Sequence, residues 1–481
     1  HMILALCFLP GFSIGTDRKE TSTLEPGIDS SLQTNILWEN GIGCSQVPFA
    51  PISIRKARQS LVRLLIVMLS QRIYKKQNEI ENESENKWVQ DILNPDCPFR
   101  LELTISLINT IFSFRTVEVT EEMKQIINEN ITHIIDSINL LLILINLGSK
   151  TQIHQSSSSS SKEAPTTEVK IQQPQFFRDF FSKLSTPIHF TFIFSGAQRL
   201  LNMQPQPFEG NLNLLLLIYR IIRLSQNALQ YSLNNPTLIS GMIITSLNSI
   251  AKAFDEFKVN QNNQLQQRPP NYIQRFPVNL ARYFENWPYD QKIEQTRIPI
   301  VMRNGKIINA PPISIINQCI DILLYLSVKR EVAISLNQSD RQGGPSGYDG
   351  RGSSWCLSDS LISNLCIVAR EIDKKYYLII QSIFTIISNI APYIKSLTRL
   401  ASYHIVQTFY KFGVPAELFS DTNNFAIVHM ILETINSLLQ YQYDSSLHLI
   451  FFILTYKTCF TALSLPLLAE YVDEDGNPYP S

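Results

Sequence analysis

Two stretches near the C-terminus, Asn389-IAPYIKSLTRLA-Ser402 and Ile435-NSLLQYQYDSSLHLIFFI-Leu454, decide the fold. Apolar residues recur in them at three- and four-residue steps, so the helices they form are apolar around most of their circumference. No titratable group in either stretch is placed for chemistry. They read as the interior of a helical scaffold.

Working outward, the same period returns along the whole chain. It marks Arg58 to Tyr74, Phe99 to Phe114, Glu121 to Leu147, Phe176 to Asn202, Asn211 to Leu233 and Thr237 to Phe257. It also marks Pro312 to Ser327, Ser358 to Ala369, Lys374 to Ile390, Pro392 to Phe412, Asn424 to Tyr441 and Ser445 to Leu463. Thr120 followed by Glu-Glu-Met reads as an N-cap with acids in the first turn, Gly148 as a stop, and Asn235-Pro236 and Ala391-Pro392 as breaks. Ile298 to Ile308 is the one candidate hairpin, around Asn304-Gly305. The expected fold class is all-α, an α-solenoid of HEAT- or armadillo-like helical hairpins with loop insertions.

Composition shifts divide the chain. A helical block at 1–149 leads into a Ser-rich linker at 150–175, whose core is the tract Ser156 to Ser161. A central block at 176–339 carries a Gln/Asn-rich insertion at 260–271. A Gly-rich loop at 340–356, a C-terminal block at 357–470 and a tail at 471–481 follow. Such polar tracts bury too little apolar area to offset backbone ordering of roughly 1–2 kcal/mol per residue, so they are expected as loops.

Charge excludes one class of partner. Lys plus Arg and Asp plus Glu are 41 each, and bulk nucleic-acid binding needs a net basic surface. Seven cysteines are scattered singly with no C-x-x-C pair, which argues for reduced thiols rather than a disulfide framework or a zinc site. Ile3 to Ile14 has the length of a signal peptide but neither a basic lead nor an A-x-A-like site. His1-Met2 reads as a cloning remnant before a truncated start. Tyr376 to Ile394 comes nearest to a membrane span, yet Gln381, Ser382, Thr385, Ser388 and Asn389 lay a polar stripe along it.

Searching for chemistry finds no G-x-S-x-G, no phosphate-cradling glycine loop and no nucleophile–base constellation, so the chain is expected to be no enzyme and to carry no cofactor, metal or small-molecule substrate. His429 and Glu433, four apart, would share a helix face, which is more simply a surface hydrogen bond than a metal site. Arg55, Lys56, Arg58, Arg72, Lys75 and Lys76 are a candidate membrane-facing basic cluster, each worth about 1 kcal/mol near anionic lipid. They sit at the two ends of the apolar run Leu61 to Leu69, so flanking a helix is the simpler account. Tyr393, Tyr403, Tyr410, Tyr441 and Tyr443 are a candidate partner groove, against the plainer reading of aromatic core.

The blocks around Asn389-x-x-Pro392-Tyr393-x-Lys395-Ser396-Leu397 and Asn436-x-x-x-Gln440-Tyr441-Gln442-Tyr443-Asp444 resemble the high-temperature-induced dauer formation family, relatives of dymeclin. Upstream, Leu37-WENGIGC-Ser45 resembles that family's Trp-Glu-x-Gly-x-Gly turn, and Trp88-Val89 its following Trp-Val pair. Phe8-LPG-Phe12 resembles a Cys-x-Asp-Phe segment with Gly11 at the acidic position. The resemblance implies a cytoplasmic protein held peripherally at Golgi or trans-Golgi membranes, and in the family an N-terminal lipid anchor that this fragment is expected to lack. It further implies partners in the Golgi trafficking machinery and a role in secretory-granule sorting. It carries no catalytic residue. A regulator of a small GTPase in membrane traffic, acting as exchange or activating factor, is the alternative from another class. A nuclear-transport carrier would need an acidic face that this neutral chain does not show.

Overall fold

The computed structural model describes residues 1–15, 36–43, 47, 50–70, 86–114, 121–147, 176–203, 210–266, 300–303, 306–308, 312–337, 356–461 and 463. Among them the fold is all-α apart from one short hairpin, and the chain divides into two compact units. The first is His1–Asn234 with Pro299–Ile308, the second Asn235–Ile298 with Asn309–Ser481. The division therefore passes through the block expected at 176–339. The linker at 150–175 and the tail at 471–481 lie outside the described residues, as does all of the Gly-rich loop except Cys356.

The first unit comprises α1 (Met2–Leu6), α2 (Ile52–Leu69), α3 (Lys87–Leu93), α4 (Arg100–Phe112), α5 (Glu121–Asn146), α6 (Phe176–Lys183), α7 (Pro187–Leu201), α8 (Asn211–Leu224) and α9 (Gln226–Leu233). Helix α4 is its centre: every residue from Leu103 to Phe112 is buried, and α5 and α7 pack against it. Gly196 lets α7 come close, because a Cβ there would stand 2.5 Å from the Phe112 carbonyl oxygen. The apolar N-terminal stretch is core. Leu4, Cys7, Phe8 and Ile14 are buried, and Ser13 Oγ closes the turn by donating to Leu6 O at 2.8 Å.

Two expected single helices are each two. Phe176 to Asn202 breaks ahead of Pro187, which lacks an amide hydrogen and so begins α7. Asn211 to Leu233 breaks at Ser225, whose hydroxyl accepts from the Ala228 N–H and starts α9. The expected cap at Thr120 lies outside the described residues. At the hairpin, β1 (Ile300–Arg303) pairs antiparallel with β2 (Lys306–Ile308), Arg303 opposite Lys306, as Asn304-Gly305 predicts.

The second unit comprises α10 (Pro236–Gln266), α11 (Pro312–Ser327), α12 (Arg330–Ser335), α13 (Leu357–Glu371), α14 (Tyr377–Ile390), α15 (Arg399–Gly413), α16 (Pro415–Leu418), α17 (Asn423–Tyr441), α18 (Leu447–Thr455) and α19 (Lys457–Thr461). Helix α11 packs on α14 and α14 on α17, while α13 packs on α15 and α15 on α18. The Gln/Asn-rich tract expected as a loop continues α10 to Gln266, since neither residue type breaks a helix as Pro does. Pro392 to Phe412 is not one helix: a 3-10 turn at Ala391–Tyr393 and an extended segment at 394–398 precede α15. Ser445 to Leu463 likewise divides at Tyr456.

Among the described residues, the helix long and apolar enough to cross a membrane is the Pro236–Val259 part of α10, not Tyr376 to Ile394. Its most apolar window is 61% buried within the protein, as a core helix requires. Cys7, Cys97, Cys319, Cys356, Cys366 and Cys459 are all buried.

Candidate functional site

The Trp-Glu-x-Gly-x-Gly turn builds a polar node inside the first unit. The Trp38 indole donates to the Cys7 carbonyl at 2.9 Å, and its backbone N–H donates to Ser106 Oγ. Asn109, fully buried on α4, receives the Ile42 N–H at 2.8 Å and donates to the Glu39 and Ile42 carbonyls. Gly41 has φ +152°, and a Cβ there would meet Asn109 Oδ1 at 2.5 Å, so the turn tolerates no side chain.

Arg58 completes this node. It is 2% exposed, lies over the Trp38 ring, donates to the Ser13 carbonyl at 2.7 Å and pairs with Glu39 at 3.1 Å. Burial raises the Glu39 carboxyl above its ordinary value, and Arg58 and Arg55 oppose that. Arg58 is therefore an internal staple and faces no membrane. The other members of the basic cluster are described only in part. Arg55 donates to Asn130 Oδ1 at 2.7 Å, Lys56 is exposed, and Arg72, Lys75 and Lys76 lie outside the described residues.

In the second unit, polar side chains fasten the extended segment at 394–398. Asn337 donates to the Tyr393 carbonyl at 2.8 Å and accepts from the Lys395 N–H at 2.8 Å. Asp359 accepts from Thr398 N–H at 2.9 Å and caps α13 at Cys356. Gln442 donates to the Pro392 carbonyl at 2.8 Å, and Asn389 to Ser327 Oγ at 3.0 Å. Gln442 thus brings the two C-terminal motif blocks together through the Pro392 backbone. No spacing signal in the sequence announces Asn337 or Asp359 as partners of a segment some forty to sixty residues on.

The tyrosines differ in exposure. Tyr403 is half-buried in the seam of α15 and α18, edge-on to Phe452 at 5.5 Å. Tyr393 is half-buried, whereas Tyr410, Tyr441 and Tyr443 are exposed. His429 and Glu433 are both exposed on α17, and no group of three metal-ligating side chains occurs among the described residues.

One buried constellation has reactive residue types. Arg370 donates to His404 Nδ1 at 2.9 Å, so the imidazole proton sits on Nε2, which is buried without a hydrogen-bond partner. Burial, then Arg370, lowers His404 to about 3. Burial pushes Cys366, also on α13, up to about 12. A thiol–imidazole nucleophile needs the opposite shifts. His133 beside Trp38 is likewise lowered to about 3, by burial and then by Arg58, Arg55 and Arg63.

A family model described as "Dymeclin: Dyggve-Melchior-Clausen syndrome protein" matches residues 1–474. The chain is 22% identical to mouse "Protein HID1" over 465 residues, 96% of this chain and 53% of that protein. It is 23% identical to the human protein of the same name over 470 residues, with the same coverage. The Dictyostelium discoideum protein of that name is 22% identical over 480 residues, 96% of this chain and 47% of its own. The chain thus spans about half the length of the curated relatives it matches. No solved structure matches it.

Proposed function

Because the chain belongs to the dymeclin family, we propose that it is part of a non-enzymatic helical scaffold that docks protein partners at Golgi and trans-Golgi membranes. The match across residues 1–474 carries this reading. The process it serves is the sorting of secretory vesicles or granules. The scaffold is cytoplasmic and touches the membrane peripherally in the full-length protein, through an acyl anchor or a partner. Two structural observations support the non-enzymatic part. Side chains of the clusters at Arg58 and Asn337 bond backbone, and burial shifts His404 and Cys366 away from the values that a thiol–imidazole nucleophile needs.

The test uses cells lacking the protein. Full-length tagged protein is expected to concentrate with trans-Golgi markers and to restore granule-cargo sorting. Diffuse staining without restoration would overturn the proposal. Acceleration of nucleotide release from a Golgi GTPase by the purified protein would replace the scaffold with the regulator.

A further inference from the structure

One end of the seam between α13 and α15 concentrates positive charge. Arg370, in the last turn of α13, is half-buried and donates to His404 Nδ1 on α15 at 2.9 Å. Lys411, in the last turn of α15, is also half-buried and donates to the Arg370 carbonyl. Among the described residues neither cation forms an ion pair. The acids whose fields reach Lys411 are Glu417 and Glu371, and each is already engaged, Glu417 by Lys374 and Glu371 by Lys258. Cys366 and Tyr403, which face Arg370, are raised by burial and stay neutral. The α13 C-terminus supplies only about half a negative charge. More than one positive charge is left unmatched, although ions taken out of water are ordinarily paired. Burial accordingly lowers both Arg370 and Lys411 below their ordinary values.

We propose that Arg370 and Lys411 form a binding site for a phosphate dianion, either free or as the monoester end of a larger molecule. A phosphate monoester carries about −1.5 to −2 at pH 7 and so balances two cations, which a single carboxylate does not. The Arg370 guanidinium can donate two parallel N–H bonds to two phosphate oxygens, and the Lys411 ammonium adds a point charge beside them. His404 sets the fork in advance. Lowered to about 3, it is neutral, so it accepts from Arg370 and adds no charge of its own. Lys374 and Lys258 hold Glu417 and Glu371, which keeps those carboxylates from competing for the two cations.

Thermal melts of the 481-residue chain in rising inorganic phosphate, with ionic strength held constant by chloride, should climb with a Kd of about 1 mM. Arg370→Lys keeps the charge but loses the fork, and should weaken this response by about tenfold or more. Lys375→Met removes an exposed cation paired with Asp373 and should leave it unchanged. A second readout needs no variant. Phosphate should slow acetylation of Lys411 in the native chain and leave Lys375 alone, followed peptide by peptide in a mass spectrometer. Flotation with phosphatidic acid vesicles, but not with phosphatidylcholine vesicles, competed by inorganic phosphate, would assign the monoester to a lipid. Protection of Lys411 without flotation would assign it to a soluble phosphate. Acetylation of Lys411 that phosphate does not slow overturns the proposal, as does a melting response that chloride matches or that Arg370→Lys leaves intact. So does protection seen only when Asp473→Asn, Glu474→Gln and Asp475→Asn are combined, because the cations would then serve the chain's own acids.

Discussion

Arg58 shows why charge in a sequence does not announce its surroundings. Its neighbours Lys56 and Arg63 are exposed, yet one helical step turns Arg58 inward onto Trp38 and Glu39. The basic run was readable from the sequence, whereas its division between surface and core depended on a turn some twenty residues earlier. Removing Arg58 leaves the half-buried Glu39 without its partner. Arg58→Ala should cost about 3 kcal/mol, the low end for a buried pair because Glu39 keeps some exposure, and Lys56→Ala under about 0.5 kcal/mol, in denaturant unfolding. Histidine sets the acid response. His133 and His404 have folded pKa values near 3, below the ordinary 6.5 of the unfolded chain. The unfolded state therefore binds their protons first, so their contribution is present above about pH 6.5 and lost as pH falls towards 3. His404→Gln should flatten the slope of stability against pH in that window, measured by urea midpoints at stepped pH.

Among the elements, α17 holds four positions that separate packing from chemistry. Leu438 is fully buried, Leu439 one step on is only half-buried, and His429 and Glu433 are exposed. Leu438→Ala should cost about 2–5 kcal/mol, Leu439→Ala visibly less, and the His429 and Glu433 variants under about 0.5 kcal/mol. Thermal melts of the four would show it, and an order reversed in favour of His429 or Glu433 would point to a ligand site. Helix periodicity made α11, α13 and α17 legible to within a residue or two. It could not show the breaks at Ser225 or at 394–398, because apolar residues continue across both. What interrupts the helix at 394–398 is capture of its backbone by Asn337 and Asp359, from elements distant in sequence. Asn337→Ala should accordingly cost about 1–3 kcal/mol by orphaning two backbone groups. Hydrogen exchange is expected to quicken at Lys395 before it does in α14.

At the scale of the whole molecule, equal numbers of acids and bases leave the formal net charge at zero. That much the sequence carried, together with the all-α class. The two-unit division it did not, because Asn234-Asn235-Pro236 looks like any other helix break. The buried cysteines turn this division into something that can be timed. Cys7 and Cys97 lie in the first unit, and Cys319, Cys356, Cys366 and Cys459 in the second, each sealed from solvent with its thiol raised by burial. Each sulfur is a latch that a maleimide reaches only when its own neighbourhood opens. Pulsed alkylation in rising urea, read peptide by peptide in a mass spectrometer, should tag Cys7 and Cys97 in step with each other. The tag at Cys366, at the heart of the second unit, should keep a separate schedule. The native chain thus carries its own stopwatch for each half, with no dye or engineered probe to wind it.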